Sequence, residues 1–185
     1  MSILTGPALR TALARGEIDV TPCDPDQISQ ASIDLHLGPW LLAAEPGALP
    51  LDVREDHARR FLPHPPDAGA FVLLPGRLYL ASTVERIHAP RHVAVVDGKS
   101  SLARLGLQVH LTAGYIEPGF RGPITLELLA AVPLRVPVGW PICQVRFCKT
   151  AGAVESYADR GHYADAALAD GPQVSRSHLH HARHV

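Results

Sequence analysis

Three kinds of side chain that could act on a small anionic substrate gather in the stretch Asp97 to Leu129, DGKSSLARLGLQVHLTAGYIEPGFRGPITLELL. Lys99, Ser100 and Ser101 open a short helical piece, Ser101 to Leu105, that ends at Gly106. A helix start leaves backbone N–H groups without partners and carries partial positive charge. A lysine and two hydroxyls at that point can therefore hold an anion, phosphate above all. The same residues could equally be a plain helix start with Ser100 as its cap. The spacing is not that of a P-loop, because G-x-x-x-x-G-K-[ST] is absent. The third group is Glu127, in the middle of the apolar run Ile124-Thr125-Leu126-Glu127-Leu128. Read as a strand, that run puts Ile124, Leu126 and Leu128 on one face and Thr125 and Glu127 on the other. Between two dry faces an ionised Glu127 is costly unless paired, and becomes a candidate general base with an environment-set pKa. On a strand with one wet face it needs no explanation. The strand pattern leaves both open.

Metal-centred chemistry has little to work with in the cysteines. Cys23, Cys143 and Cys148 contain no C-x-x-C and cannot all pair within one chain, so neither a disulfide framework nor a zinc cage is expected. Zinc nucleobase deaminases need H-x-E with P-C-x-x-C, and that set is missing. The three thiols read as core residues in a reducing compartment. Near the C-terminus, Ser177-His178-Leu179-His180-His181-Ala182-Arg183-His184 carries four histidines but no carboxylate. It is expected to be a solvated tail, and no metal ligands are assigned.

The elements that must hold these residues are mostly strands. A short amphipathic helix is expected from Leu4, Ala8, Leu9, Ala12 and Leu13, begun at Thr5-Gly6-Pro7 and stopped at Gly16. Beyond it, Pro and Gly punctuate short apolar runs. The predicted strands are Ile33 to Leu37, Trp40 to Ala44, Ala70 to Leu74, Arg77 to Val84, His92 to Val96, Leu107 to Ala113, Ile124 to Leu128, Leu134 to Val138 and Ile142 to Cys148. Leu51 to Asp67 reads as a surface excursion. With 185 residues, 46% hydrophobic and 19% charged, the chain suits one globular domain of mainly β architecture, a sandwich, jelly roll or barrel. A net charge of −1 offers no broad basic field for nucleic acid. No apolar run nears the ~18 residues of a membrane span, and Met1-Ser2-Ile3-Leu4 lacks a basic leader. A cytoplasmic protein is expected.

Two long motifs in order, GKSSLARLGL…VHLTAGYIEPGFRGPITLEL and the earlier Gln30-Ala31-Ser32-Ile33-Asp34-Leu35-His36-Leu37-Gly38, closely resemble the dCTP deaminase branch of the dCTP deaminase/dUTPase superfamily. The resemblance runs from residue 1 to about residue 147, and more loosely through Gly171 to Arg176. It implies a distorted β-barrel of the dUTPase-like or jelly-roll type, with one helix near the N-terminus and another after the Lys99-Ser100-Ser101 turn. Residues 1–150 would form the barrel and 151–185 a lid or tail. A homotrimer with active sites between subunits is also implied.

The reaction that follows from this likeness is hydrolytic, zinc-independent removal of the cytosine 4-amino group of dCTP, giving dUTP and ammonia. Glu127 matches the proton-shuttling position, and Ser100 and Arg104 those that organise water and charge at the base. Without the likeness, Arg104 would read as a helix-end ion pair. The backbone around Thr112-Ala113 matches the segment that holds the water and the pyrimidine edge, Thr125 and Leu126 match substrate-binding positions, and Lys99, Ser101, Gln144 and Tyr157 match those along the triphosphate and its lid. Mg²⁺ would arrive on the phosphates. Glu117 matches a site beside the deoxyribose 3′-hydroxyl; read alone it is a turn carboxylate.

Several positions depart from the pattern. Lys99 stands where many relatives have Arg, losing bidentate phosphate geometry. Glu117 replaces Asp and Ala130 replaces a common Asn. His162-Tyr163 and Ala166 replace a lid Lys-Tyr pair and a Gln three residues on. Ala113-Gly114-Tyr115-Ile116 looks more like sequences that also hydrolyse dUTP to dUMP and pyrophosphate. The alternatives are thus a bifunctional dCTP deaminase/dUTP pyrophosphatase, a deaminase of a modified or monophosphate cytosine deoxynucleotide, and a non-catalytic nucleotide-binding homologue.

Overall fold

The computed structural model describes residues 2–45, 47 and 51–176. In chain order its strands are β1 (Ser2–Ile3), β2 (Asp19–Thr21), β3 (Ile33–Ala44), β4 (Phe61–Pro63), β5 (Ala70–Leu73) and β6 (Tyr79–His88). They continue with β7 (His92–Gly98), β8 (Leu107–Gln108), β9 (Tyr115–Ile116), β10 (Arg121–Ala130), β11 (Leu134–Pro137) and β12 (Pro141–Lys149). Three short helices are α1 (Gly6–Ala14), α2 (Ser100–Ala103) and α3 (Tyr157–Arg160). One curled sheet runs β8-β10-β6-β3-β12-β7-β9, with β1 on β12, β2 on β6 and β4 on β3; β11 and β5 pair separately. The expected mainly β, barrel-like architecture is what the chain adopts, with both expected helices in place.

Alternation explains the core. Ile33, Leu35 and Leu37 of β3, Leu126 and Leu128 of β10, and Val145 and Phe147 of β12 are fully buried, and they meet Leu9 of α1. The runs Ile33–Leu37 and Trp40–Ala44, expected as two strands, form one bent strand whose register against β6 shifts between Leu37 and Leu41. A side chain at Gly38 would stand 2.7 Å from the Ser82 carbonyl oxygen, so the bend brings two backbones closer than any Cβ allows.

Other expectations need correction. Leu107 to Ala113 is strand only at Leu107–Gln108. Leu111 is left exposed, so no second apolar face keeps the rest in a ladder. The excursion from Leu51 to Asp67 contains β4, paired to β3 through Leu42↔Pro63 and Ala44↔Phe61. Cys143 and Cys148 are core residues, but Cys23 is half-exposed. The histidine run at 177–185 lies outside the described residues.

A buried carboxylate that the strand pattern hid ties the sheet together. Glu85 of β6 is 1% exposed. Its oxygens accept the His36 backbone N–H at 2.8 Å and the Gln27 amide at 3.0 Å, and meet the His36 ring at 2.5 Å. Removing one member of such a set strands the others without partners. Glu85→Ala is expected to cost about 3–5 kcal/mol, measurable as a drop in the denaturant midpoint.

Candidate active site

β10 carries the acid. Its inward residues Ile124, Leu126 and Leu128 fix the strand in the core, which turns Thr125 and Glu127 to the opposite face. There Glu127 is half-buried and lines a cavity of about 330 Å³. The rest of the wall comes from the loop around Ala113, Tyr115, Ile116 and Glu117, from Phe120, and from the C-terminal segment through Tyr157, Tyr163, Ala166 and Gln173. Of the two strand-face alternatives, neither fits as stated: Glu127 faces a walled, partly apolar chamber. Burial pushes its carboxyl above the usual 4.5, while the Leu111 and Glu127 backbone N–H groups and His110 pull the other way. A carboxyl raised by burial and still touched by N–H donors is suited to taking and returning a proton.

The C-terminal segment is tied down over this chamber. Tyr157 donates its backbone N–H to Pro118 O (2.8 Å), its hydroxyl accepts the Tyr163 N–H (3.1 Å), and its ring meets Phe120 edge-on. Burial raises the Tyr157 phenol. Arg86 donates to Ala169 O at 2.9 Å, and the Gln173 N–H donates to Thr125 Oγ1, also at 2.9 Å. Gly122, at φ +148°, lets Ala166 lie against β10: a Cβ there would stand 2.7 Å from Ala166 O.

The wall thus gathers Ala113, Glu117, Thr125, Glu127 and Tyr157 of the expected site. Leu126 points into the core. Lys99, Ser100, Ser101, Arg104 and Gln144 lie outside the wall. Lys99, not Ser100, is the N-cap of α2, and no side chain caps that helix. The Lys99 ammonium pairs with the Asp34 carboxylate. The Gln144 amide accepts from Ser32 Oγ at 2.9 Å and donates to Gly98 O at 3.1 Å. Ser100, Ser101 and Arg104 are exposed. One chain therefore presents a basic, hydroxyl-bearing corner and, separately, a carboxylate-bearing chamber.

Inspection of residue types alone missed Asp34, Ser32, Tyr163 and Gln173. Asp34 and Ser32 had a usable signal, since they alternate with buried Ile33 and Leu35 and so face outward with Gln144, the ladder partner of Asp34. Tyr163 and Gln173 fall in segments that the resemblance covers, the lid pair and Gly171 to Arg176, but nothing joined them to Glu127, because the chain reaches β10 only after a long irregular path. Among the described residues no three His, Cys, Asp or Glu side chains cluster as metal ligands, and no helix is long and apolar enough to cross a membrane.

Fold and chamber define a distorted β-barrel protein with a carboxylate-bearing cavity beside β10. The fold is similar to that of 2′-deoxycytidine 5′-triphosphate deaminase from Agrobacterium tumefaciens, with a TM-score of 0.63 and 25% identity. That likeness covers 89% of this chain and 53% of the other, so the chain spans about half that protein's length. The family described as dCTP deaminase-like matches residues 3–150. The relatives that the chain matches include proteins named "dCTP deaminase, dUMP-forming". The one from Methanoregula boonei is 40% identical over 184 residues, 98% of this chain and 99% of the relative. That from Halobacterium salinarum is 40% identical, covering 94% of each chain, and that from Kocuria rhizophila 34%, covering 96% and 95%. The chain belongs to the dCTP deaminase-like family.

Proposed function

We propose that this protein converts dCTP to dUMP in two hydrolytic steps at one site: dCTP and water give dUTP and ammonia, then dUTP and water give dUMP and pyrophosphate. The names of its relatives favour this reading over release of dUTP, as do Ala113-Gly114-Tyr115-Ile116. The observation that carries the first step is Glu127, half-buried in a cavity with its carboxyl pKa raised by burial. Ionised, it takes a proton from water as the oxygen adds to C4 of cytosine. Protonated, it delivers that proton to the departing nitrogen, so one carboxyl serves as base and then acid.

Ala113 and the Thr125-Leu126 backbone hold the pyrimidine edge beside Glu127. Glu117 accepts the deoxyribose 3′-hydroxyl and, in the second step, directs water at the α-phosphorus. Tyr157 belongs to a lid that the described part of the C-terminal segment, residues 151–176, forms over the barrel. Ser100 and Arg104 stabilise developing charge, and Lys99, Ser101 and Gln144 hold the triphosphate; to reach the chamber they come from a neighbouring subunit. A homotrimer supplies that neighbour three times over. The separation of corner and chamber within one chain supports this assembly. Mg²⁺ bound through phosphate oxygens and water would neutralise charge on the triphosphate. The reaction belongs to deoxynucleotide supply in the cytoplasm.

The test is incubation of the purified protein with dCTP and Mg²⁺, resolving dUTP, dUMP and pyrophosphate. Equimolar dUMP and pyrophosphate are expected. Accumulating dUTP would exclude the second step and locate its loss at Glu117, one methylene longer than Asp, where ~1 Å of misplacement can cost ~100-fold.

A further inference from the structure

Gln173 is the single carboxamide among the described residues that wall the Glu127 cavity, and its orientation is set by its neighbours. Its backbone N–H donates to Thr125 Oγ1 at 2.9 Å, which fixes the residue two positions from Glu127 along β10. Its Oε1 accepts from Arg176 Nη2 at 2.8 Å. A guanidinium has only donors, so the amide oxygen must turn to it and the NH₂ must point the other way. Arg176 is itself held: its Nη1 donates to His162 O at 3.0 Å, its backbone N–H to the Tyr163 hydroxyl at 3.2 Å, and its guanidinium lies 5.4 Å from the Tyr163 ring centre. Among the described residues the Gln173 NH₂ has one long contact, to Gly171 O at 3.5 Å. A pre-oriented donor with one weak partner, on the wall of the substrate chamber, is suited to a ligand acceptor.

We infer that Gln173 is a specificity-determining residue whose side-chain N–H donates to O2 of the pyrimidine, an acceptor that cytosine and uracil share, with Arg176 as the positioning residue that holds the amide in that sense. This rests on the cavity being the nucleotide site proposed above. A side chain that merely hydrogen-bonds whatever is near would lose affinity for any ligand. A pinned amide instead rejects rings that present a donor at that point, because its own N–H is then left facing another N–H.

Two substitutions separate reading the base from holding the segment. Gln173→Leu removes the donor without adding charge. Gln173→Glu keeps, and strengthens, the link to Arg176 while removing the donor. Calorimetric titration of dCTP with Mg²⁺ into each protein, beside its thermal midpoint, is the measurement. Loss of one such hydrogen bond corresponds to roughly a tenfold rise in dCTP Kd. That rise is expected in both variants, with the thermal midpoint of Gln173→Glu no lower than that of the unaltered protein. Wild-type affinity in either variant overturns the inference, and so does restoration of binding by Gln173→Glu alone, which would mark a purely structural clamp. Turnover is scored separately: an unaltered protein that binds dCTP without converting it overturns the enzymatic proposal and leaves this one standing. One that does not bind dCTP overturns both.

Discussion

Glu127→Gln is expected to lower the rate of dCTP deamination by on the order of 10²–10⁴-fold, the span one well-placed general acid–base group contributes. Glutamine keeps the shape and can hydrogen-bond water, but it can neither accept nor return the proton. The loss should therefore fall on kcat, with dCTP affinity nearly unchanged. The pH profile offers a second check. Burial raises the Glu127 carboxyl above 4.5, and water activation needs its ionised form. Activity of the unaltered enzyme should fall on the acid side through a pKa above the ordinary carboxylate range. Stability follows the opposite sense. The folded state holds the Glu127 proton more tightly than the unfolded chain, so its contribution is complete below the unfolded pKa and is lost as pH rises through the folded one. Glu127→Gln lacks that loss and should be at least as stable at neutral pH. A variant that is inactive because it has unfolded would show a lowered midpoint instead, and an active Glu127→Gln would remove the proposed mechanism altogether.

Mixing two dead variants should restore activity. Ser100→Ala damages the exposed corner and Glu127→Gln the chamber, and these two features are separate in one chain. If a site is built from the corner of one subunit and the chamber of its neighbour, random reassembly at equal amounts leaves about one quarter of sites with both parts intact, the product of two one-in-two chances in a closed ring. Activity near 25% of wild type is thus expected after unfolding and refolding the two together, against almost none from either alone. Recovery requires exchange of subunits, so simple mixing of pre-formed assemblies should show little. No recovery from a co-refolded, properly assembled mixture of two inactive variants would mean that each chain completes its own site, whereas an active Ser100→Ala would mean that the exposed corner has no part in the chemistry.

What was legible in the chain followed from local periodicity. Alternation at Ile33-Leu35-Leu37 and Ile124-Leu126-Leu128 announced core-facing strands, and those residues are buried as expected. Glu127 stood out because it broke an apolar run. The helix before Gly16 and the turn into α2 came from Pro and Gly, whose backbone limits act over one or two residues. Where periodicity ran short the reading failed. Leu107 to Ala113 has apolar residues enough for a strand, yet only Leu107 and Gln108 find a ladder partner, because pairing is decided by β10 and not by the segment itself. Phe61–Pro63 looked like loop and became an edge strand because β3 offered it unpaired backbone groups.

The amino-acid order by itself determined which residues could do acid–base and phosphate chemistry, the mainly β class and the family resemblance, since residue type, alternation and motif spacing are local properties written along the chain. The tertiary structure alone decided that Glu127 meets the C-terminal segment in a walled cavity, that Glu85 is satisfied by His36 and Gln27, and that Lys99 rests on Asp34. It also decided that Gln173 crosses 48 residues of sequence to reach Thr125. Each of these depends on strands distant in sequence closing a sheet, and burial and hydrogen-bond partners exist only once that closure has occurred.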